Sequence, residues 1–258
     1  MRASDIAAVI EELAPLRLQE PWDNSGFCIG DGSASVRGVL VGFDCTPELI
    51  DEARMSGADM VITHHPLIFG GIKKISEATM TGRTVIAAIR HNITVYSCHT
   101  NMDKVLRGVS GTAAGWLGLR DVRVLDMDED GNGLGVIGTL PDPMAPKDFL
   151  RGMKAALGLS TVRHSQLPRT PVRTVAVCGG SGRSLISKAS AAGADVYVSA
   201  DIPYHDFYAP DGMMIADIGH FESESKIMDV ICGIVREKFP NFAVRTAVRS
   251  TVNPVYYF

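Results

Sequence analysis

The sequence predicts an α/β protein built from two α/β domains with mostly parallel or mixed sheets. Its 258 residues suit one large domain or two modest ones, at roughly 100 to 200 residues per domain. Apolar residues make up 46% of the chain and charged residues 21%, as in an ordinary globular protein with a substantial core. Between residues 39 and 97, strand-like and helix-like segments alternate, which is the βαβ pattern of a largely parallel sheet.

The elements of the first half follow from apolar spacing and from capping residues. Apolar residues recur at helical spacing from Ile6 to Leu13, which predicts a short amphipathic helix. Thr46 and Pro47 are a cap and a first-turn proline, so a helix is predicted from there to about Gly57. Continuous apolar runs and helical spacing predict strands at 39–44, 59–63, 93–97 and 122–125, and further helices at 85–90 and 103–117.

An acidic, glycine-rich segment at 126–135 separates the two halves, and its MDEDGNG centre indicates a linker or a hairpin. The predicted domains are therefore 1–126 and 127–258, with the option left open that the C-terminal helix and strand pack back on the first domain. In the second half the same patterns predict strands at 136–140, 172–178, 195–199, 214–218 and 243–251, and helices at 146–157, 183–192 and 226–238.

Charge and cysteine content exclude several classes of function. The formal net charge is −4 and no long basic run is present, which disfavours nucleic acid as the main ligand. The N-terminal segment carries acidic residues where a signal peptide would be apolar, and no stretch approaches about 20 apolar residues, so a soluble cytoplasmic protein is expected. The five cysteines form no CxxC pair, which favours buried free thiols.

Histidines and carboxylates follow the predicted strands in four places. Ligands of open α/β sheets bind beyond the carboxyl ends of the strands, so these side chains are expected to share one edge. The residues are His64 and His65 after the strand at 59–63, His99 and Asp103 after 93–97, Asp201 and His205 after 195–199, and His220 and Glu224 after 214–218.

This donor set indicates a transition-metal site. A lone histidine is more often a structural residue, but four strand ends carrying such groups favour metal binding. Imidazole and carboxylate without thiolate suit Zn, Fe, Mn, Co or Ni. His220 and Glu224 are four residues apart, a spacing suited to chelation from one helix face. Even three histidines and two carboxylates from this set exceed what one catalytic ion with an open coordination position needs. They suit two ions about 3.5 to 4 Å apart.

Three other segments are weaker candidates. The glycine-rich turn at 179–182 is either an anion-binding nest or a plain tight turn. Residues 23–26 form a turn by composition, with Trp22 as a packing anchor. Gly70 and Gly71, near two lysines, either let a loop lie over substrate or belong to a solvated basic turn.

The sequence resembles the YbgI-type dinuclear metal centre proteins, the NIF-three-like family, also described as GTP cyclohydrolase 1 type 2 homologs. The resemblance runs nearly end to end. Its motifs are PWDNSGFCIG at 21–30, DMVITHHPLIFGGIKKI at 59–75, SCHTNMD at 97–103, VCGGSG at 177–182, DVYVSADIPYHDF at 195–207 and ADIGHFESE at 216–224. The chain departs from the family pattern at Ser199, Ala200 and Pro203, which bears on contacts near His205 and not on the metals.

The resemblance implies two α/β domains with the metal site in the inter-domain cleft, assembled as a homohexamer ring. The metal ligands it implies are His64, His65, Asp103, His220 and Glu224, with His99 beside them.

The first functional hypothesis is a dinuclear metal-dependent hydrolase that opens the purine ring of GTP. The catalytic candidates are His99 and His205 for proton transfer, together with Asp201. Two alternatives stay open: a metal-dependent phosphoesterase acting on nucleotides or other phosphoesters, and a non-enzymatic metal-binding ring that serves as a scaffold.

Overall fold

The computed structural model describes residues 1–208, Pro210 and 212–258. Its helices are α1 Ala3–Leu13, α2 Pro47–Ser56, α3 Met80–Arg90, α4 Thr100–Asp103, α5 Val109–Trp116, α6 Pro146–Leu157, α7 Ile186–Ala191, α8 His220–Glu224 and α9 Ile227–Lys238. Its strands are β1 Gly26–Ile29, β2 Gly38–Gly42, β3 Met60–Thr63, β4 Thr94–Ser97, β5 Arg120–Met127, β6 Gly133–Met144, β7 Arg163–His164, β8 Val172–Ser181, β9 Val196–Ala200, β10 Met214–Asp217 and β11 Ala243–Thr246.

The chain divides into two compact units. The first comprises Met1–Met102 and Ile227–Val252, and the second comprises Asp103–Lys226 and Asn253–Phe258. The division near 102 differs from the boundary at 126 drawn from the sequence, because β5 pairs with β6 in the second sheet. The acidic segment is the turn of this hairpin, in which Asp128 Oδ1 accepts hydrogen bonds from the amides of Asp130 and Asn132.

The first unit is built on a five-stranded sheet in the order β1-β4-β3-β2-β11. The pairs among β4, β3, β2 and β11 are parallel, and β1 is antiparallel to β4. Helices α2 and α3 pack on the face that carries Leu40, Val61 and Val95, while α9 contacts β2 and α1. Thr63 pairs with Ser97 in register, so the chain leaves β3 and β4 side by side at their carboxyl ends.

Local signals explain most of the observed boundaries in this unit. The hydroxyl oxygen of Thr46 accepts a hydrogen bond from the amide of Leu49, and Gly57 ends α2 in a left-handed conformation. Helix α3 begins at Met80, earlier than predicted, because Thr79 caps it in the same way. Where the chain passes into the second unit, the single helix predicted at 103–117 is wrong: α4 ends at Asp103, and Gly108 precedes a separate α5.

The second unit contains a six-stranded mixed sheet in the order β5-β6-β8-β9-β10-β7. Strands β8, β9 and β10 are parallel neighbours, and the remaining pairs are antiparallel. The core includes Phe149 and Met153 of α6 on one side and Leu185 and Ala189 on the other. Ser199 of β9 pairs with Asp217 of β10, so the segments that follow these strands are also neighbours.

The two mixed-sheet α/β units confirm the predicted fold class. None of the helices in the described part of the chain has the length and apolar character needed to cross a bilayer.

Candidate metal centre

Three histidines converge at the carboxyl edge of the sheet in the first unit. His64 and His65 directly follow β3, and His99 follows β4 two residues after its end. One ligand nitrogen from each imidazole lies within 4.8 Å of the others. The ring centroids are 4.9 to 5.3 Å apart. The sequence-based expectation that these strand ends bring imidazoles together is therefore met within this unit.

The Nδ1 atom of each imidazole bonds to a fixed oxygen of the protein. His64 Nδ1 lies 3.0 Å from the carbonyl oxygen of Cys98, and His65 Nδ1 lies 2.7 Å from Asp44 Oδ1. His99 Nδ1 lies 2.8 Å from Asp23 Oδ1. Because these oxygens accept from N–H, each neutral ring is in the tautomer that carries its lone pair on Nε2, the form in which histidine donates to a metal.

Asp23 and Asp44 are site residues that the sequence reasoning missed. The only local signal for Asp44 is its position just beyond β2, which ends at Gly42 rather than at 44 as predicted. Asp23 lies in the predicted turn, and its side chain is fully buried. It accepts hydrogen bonds from the amide of Thr100 at 3.0 Å and from the hydroxyl of Thr100 as well as from His99.

The electrostatics of Asp23 favour its charged form. Burial alone would raise the pKa of this carboxyl, but the hydrogen bonds from His99 and Thr100 outweigh burial and hold the pKa well below its usual value. The charged carboxylate therefore fixes both the His99 ring and the turn that precedes β1.

In the second unit, His220 lies between two carboxylates. Its Nε2 is 3.0 Å from Glu224 Oε2, and its Nδ1 is 2.7 Å from Asp201 Oδ2. Asp201 adopts a positive φ of 52°, a conformation that Asp tolerates better than most residues and that here accompanies a contact to a candidate ligand. The predicted i, i+4 pairing of His220 and Glu224 is thus present on α8.

The pairing of His220 with Glu224 suits a bound cation. The hydrogen bond to Glu224 is the main reason that the pKa of His220 is raised to about 9, with Asp201 adding to the effect against partial burial. The metal-free imidazole therefore holds a proton between Nε2 and the Glu224 carboxylate. A divalent ion bound by the same two atoms would replace that proton, since metal ligands must be deprotonated.

Asp103 lies near Glu224 around a buried thiol. Burial raises the pKa of Cys178 to about 12, and the charges of Asp103 and Glu224 add to the shift. The thiol therefore stays neutral, which leaves imidazoles and carboxylates as the donor set. All five cysteines are free, and all but the half-buried Cys28 are buried as expected.

The glycine-rich segment at 179–182, whose first three residues end strand β8, supports Glu224 rather than an anion. The amide of Gly179 donates to Ser110 Oγ at 3.3 Å, that of Gly180 to Ser223 Oγ at 2.9 Å and that of Gly182 to Ser199 Oγ at 3.1 Å. A Cβ atom added to Gly180 would lie 2.3 Å from Glu224 Oε1. The anion-nest interpretation is wrong for these three amides, because each already has a protein acceptor.

The remaining predicted side chains are exposed. His205 is exposed on a short 3₁₀ turn, Tyr204–Phe207, where its ring is edge-on to Tyr204 at 5.2 Å. His91 and His164, which the sequence placed outside the site, are also exposed. Trp22 is 61% exposed, so its prediction as a packing anchor is wrong.

The fold and these side chains define a class: a protein of two mixed-sheet α/β units whose strand ends carry imidazole and carboxylate groups that can hold metal ions. More specifically, the chain belongs to the Duf34/NIF3 family (NGG1p interacting factor 3), whose model matches residues 1–254. The family resemblance predicted from the six motifs is confirmed.

Individual relatives agree with this assignment. A "GTP cyclohydrolase 1 type 2 homolog" of Clostridium perfringens is 33% identical over 242 residues, which cover 92% of each protein. A protein of the same name from Streptomyces coelicolor is 34% identical over 232 residues, covering 86% of this chain and 81% of the relative. A crystal structure of a Staphylococcus aureus hypothetical protein matches with a TM-score of 0.91 and 26% identity, covering 100% of this chain and 99% of that one.

Proposed function

We propose that this protein is a metal-dependent hydrolase that binds two divalent transition-metal ions per chain. The observation that carries the proposal is the convergence of His64 and His65 in the first unit, with His99 beside them and one ring nitrogen of each within 4.8 Å of the others. The close pairing of His220 with Glu224 in the second unit supports it further. The proposed ligands are His64, His65, Asp103, His220 and Glu224.

Two ions held in this way would supply a water molecule of lowered pKa and would polarise the bond under attack. The protein's own contribution is orientation. Asp44 fixes the ring of His65 and Asp201 fixes that of His220, as carboxylates do for metal-binding histidines. Asp201 is therefore proposed as a positioning residue. His99, held by Asp23, stands beside His64 and His65 and is proposed to transfer protons there.

The proposed substrate is a nucleotide, with GTP as the first candidate. The names of the curated relatives support this choice. Cleavage of a phosphoester by the same two ions is the alternative reaction. A ring that binds metal without catalysis is the alternative of another class, and the activity experiment below distinguishes the three.

Protein purified without chelator and supplied with metal is expected to hydrolyse GTP slowly and in a metal-dependent manner. Loss of purine absorbance would indicate ring opening, whereas release of free phosphate would indicate phosphoester cleavage. We further propose that His205, exposed on the segment that follows β9 and Asp201, donates a proton to the leaving group. His205→Ala is therefore expected to slow turnover by about 10²- to 10⁴-fold, the usual contribution of one general acid or base, without loss of metal. His91→Ala, which removes another exposed histidine, is the matched control.

Two results of this experiment would contradict the proposal. If elemental analysis repeatedly finds no metal in the supplemented protein, the metal centre is absent. If the metal-loaded protein is inert toward GTP and a broad phosphoester panel, the scaffold function replaces the enzyme.

We also propose that the chain assembles with itself as a homohexamer ring. Light scattering is expected to give a mass about six times the 27.7 kDa of one chain. A monomer at micromolar concentration would contradict this.

A further inference from the structure

Two large aromatic side chains are exposed beside the histidine cluster of the first unit. Trp22 is 61% exposed and Phe69 is 49% exposed. The ring centroid of Trp22 lies 5.9 Å from that of His99, and the centroid of Phe69 lies 5.6 Å from the same ring. Both rings are nearly perpendicular to the imidazole, at 72° and 86°. Two segments distant in sequence thus place an aromatic ring at the same histidine.

These aromatic residues belong to segments held in place by hydrogen bonds. Next to Trp22, the buried carboxylate of Asp23 accepts from His99 and Thr100. The side-chain amide of Asn24 donates to the carbonyl oxygen of Ile68 at 2.7 Å, which ties the turn to the residue preceding Phe69. The exposure of Trp22 is therefore not a result of a loosely attached turn.

Trp22 is held in place and yet exposed, so its indole ring lacks the apolar burial that normally favours folding. Trp and Phe can bury about 150–250 Å² each, and two exposed aromatic rings at one histidine form an apolar patch of the kind that marks a ligand or partner site. The position of both rings at His99 favours a ligand of the histidine cluster. Aromatic side chains bind flat heteroaromatic rings by stacking, and they do so with little dependence on ring substituents.

We infer that Trp22 and Phe69 bind a flat heteroaromatic ring of the substrate beside His99. The inference rests on the proposed function and names the part of the substrate that this side of the site recognises. It assigns substrate specificity to two residues that need not bind metal.

Fluorescence of Trp22 provides a direct test in the metal-loaded protein. The chain has two tryptophans, so Trp116→Phe leaves Trp22 as the sole indole. Guanosine, which carries the ring without phosphate, is expected to quench this fluorescence saturably, and inorganic triphosphate is expected to have no effect. Trp22→Phe, which leaves only Trp116, controls for absorption of light by guanosine and should show no saturable quenching.

Phe69→Ala in the Trp116→Phe background should weaken guanosine binding by roughly 10- to 100-fold, as loss of one stacking partner does. Its metal content should be unchanged. Ile75→Ala removes another exposed apolar side chain of the same unit and serves as the matched control.

Three outcomes would overturn the inference: absence of saturable quenching, equal quenching in the protein with only Trp116, or a changed assembly mass in Phe69→Ala in place of weakened guanosine binding. The last would assign the aromatic pair to a contact between copies. Hydrolysis of ring-free phosphoesters without guanosine binding would refute this inference alone, whereas guanosine binding without any hydrolysis would refute the proposed hydrolase alone.

Discussion

Glu224→Gln is expected to lose metal and all metal-dependent hydrolysis while the protein remains folded. The side chain of Glu224 is only 4% exposed and bonds to His220 Nε2 at 3.0 Å. Glutamine keeps the size of the side chain and a hydrogen bond to that ring, but it removes the negative charge that a divalent ion needs from this ligand. Loss of the hydrogen-bond partner of a metal ligand usually lowers metal affinity by 10- to 100-fold, about 1.4 to 2.7 kcal/mol. Loss of the charge of the ligand itself should lower the affinity by more than that.

Glu222→Gln is the matched control for this experiment. Glu222 lies on the same short helix α8, but its Oε1 accepts from Asn253 Nδ2 at 2.9 Å and glutamine preserves that acceptor. Calorimetric titration with Zn²⁺ or Mn²⁺ and thermal unfolding should be measured on both variants. Unchanged metal affinity in Glu224→Gln, or an equal loss in both variants, would contradict the assignment of Glu224 as a ligand.

The sequence predicts those residues of the candidate site whose positions follow from strand direction. His64, His65 and His99 follow parallel neighbours, and Thr63 pairs with Ser97 in register. Residues beyond two such strand ends must lie close together, whatever packs around them. The i, i+4 pair on α8 is equally local, because helix geometry alone sets the spacing.

What the sequence could not predict depends on packing between distant segments. Asp44 and Asp23 are ordinary carboxylates in the sequence, and their role follows only from the imidazole that each one contacts. Whether Trp22 is buried or exposed depends on whether a distant segment covers it, and no local sequence pattern shows this. A glycine-rich sequence such as that at 179–182 is compatible with two roles: its amides can bind an anion, or its lack of side chains can make room for a neighbouring side chain.

The domain boundary shows the same limit. The acidic, glycine-rich composition of residues 126–135 is equally typical of a linker and of a hairpin turn. The antiparallel pairing of β5 with β6 makes this segment a hairpin, and this pairing is a contact between strands that flank the segment.

Gly180→Ala is expected to lower metal affinity because the glycine makes room for the Glu224 carboxylate. A Cβ atom at this position would lie 2.3 Å from Oε1 and 3.0 Å from Cδ of Glu224. Real Cβ contacts essentially never fall below 3.0 Å, so the carboxylate must move. It is the end of a flexible side chain, so the protein should stay folded, but the movement displaces a buried candidate ligand from His220.

The substitution also has a backbone cost that must be separated from this displacement. Gly180 has a φ of +61°, where alanine is strained by roughly 1 to 2 kcal/mol. Gly158 has a φ of +69° at the end of α6, and an added Cβ atom there meets nothing within 4 Å. Gly158→Ala therefore carries the same backbone strain without touching a candidate ligand.

Both variants should lose a similar amount of unfolding free energy in denaturant titrations, about 1 to 2 kcal/mol from the backbone strain. Only Gly180→Ala should also lose metal affinity, and its hydrolysis rate should fall by about 10²-fold, since a displacement near 1 Å in a catalytic site has an effect of that size. The difference between the variants isolates the position of the carboxylate from the stability of the fold. If the two variants bind Zn²⁺ or Mn²⁺ equally well, the glycine does not position Glu224 as a ligand, and the segment at 179–182 is required only for folding.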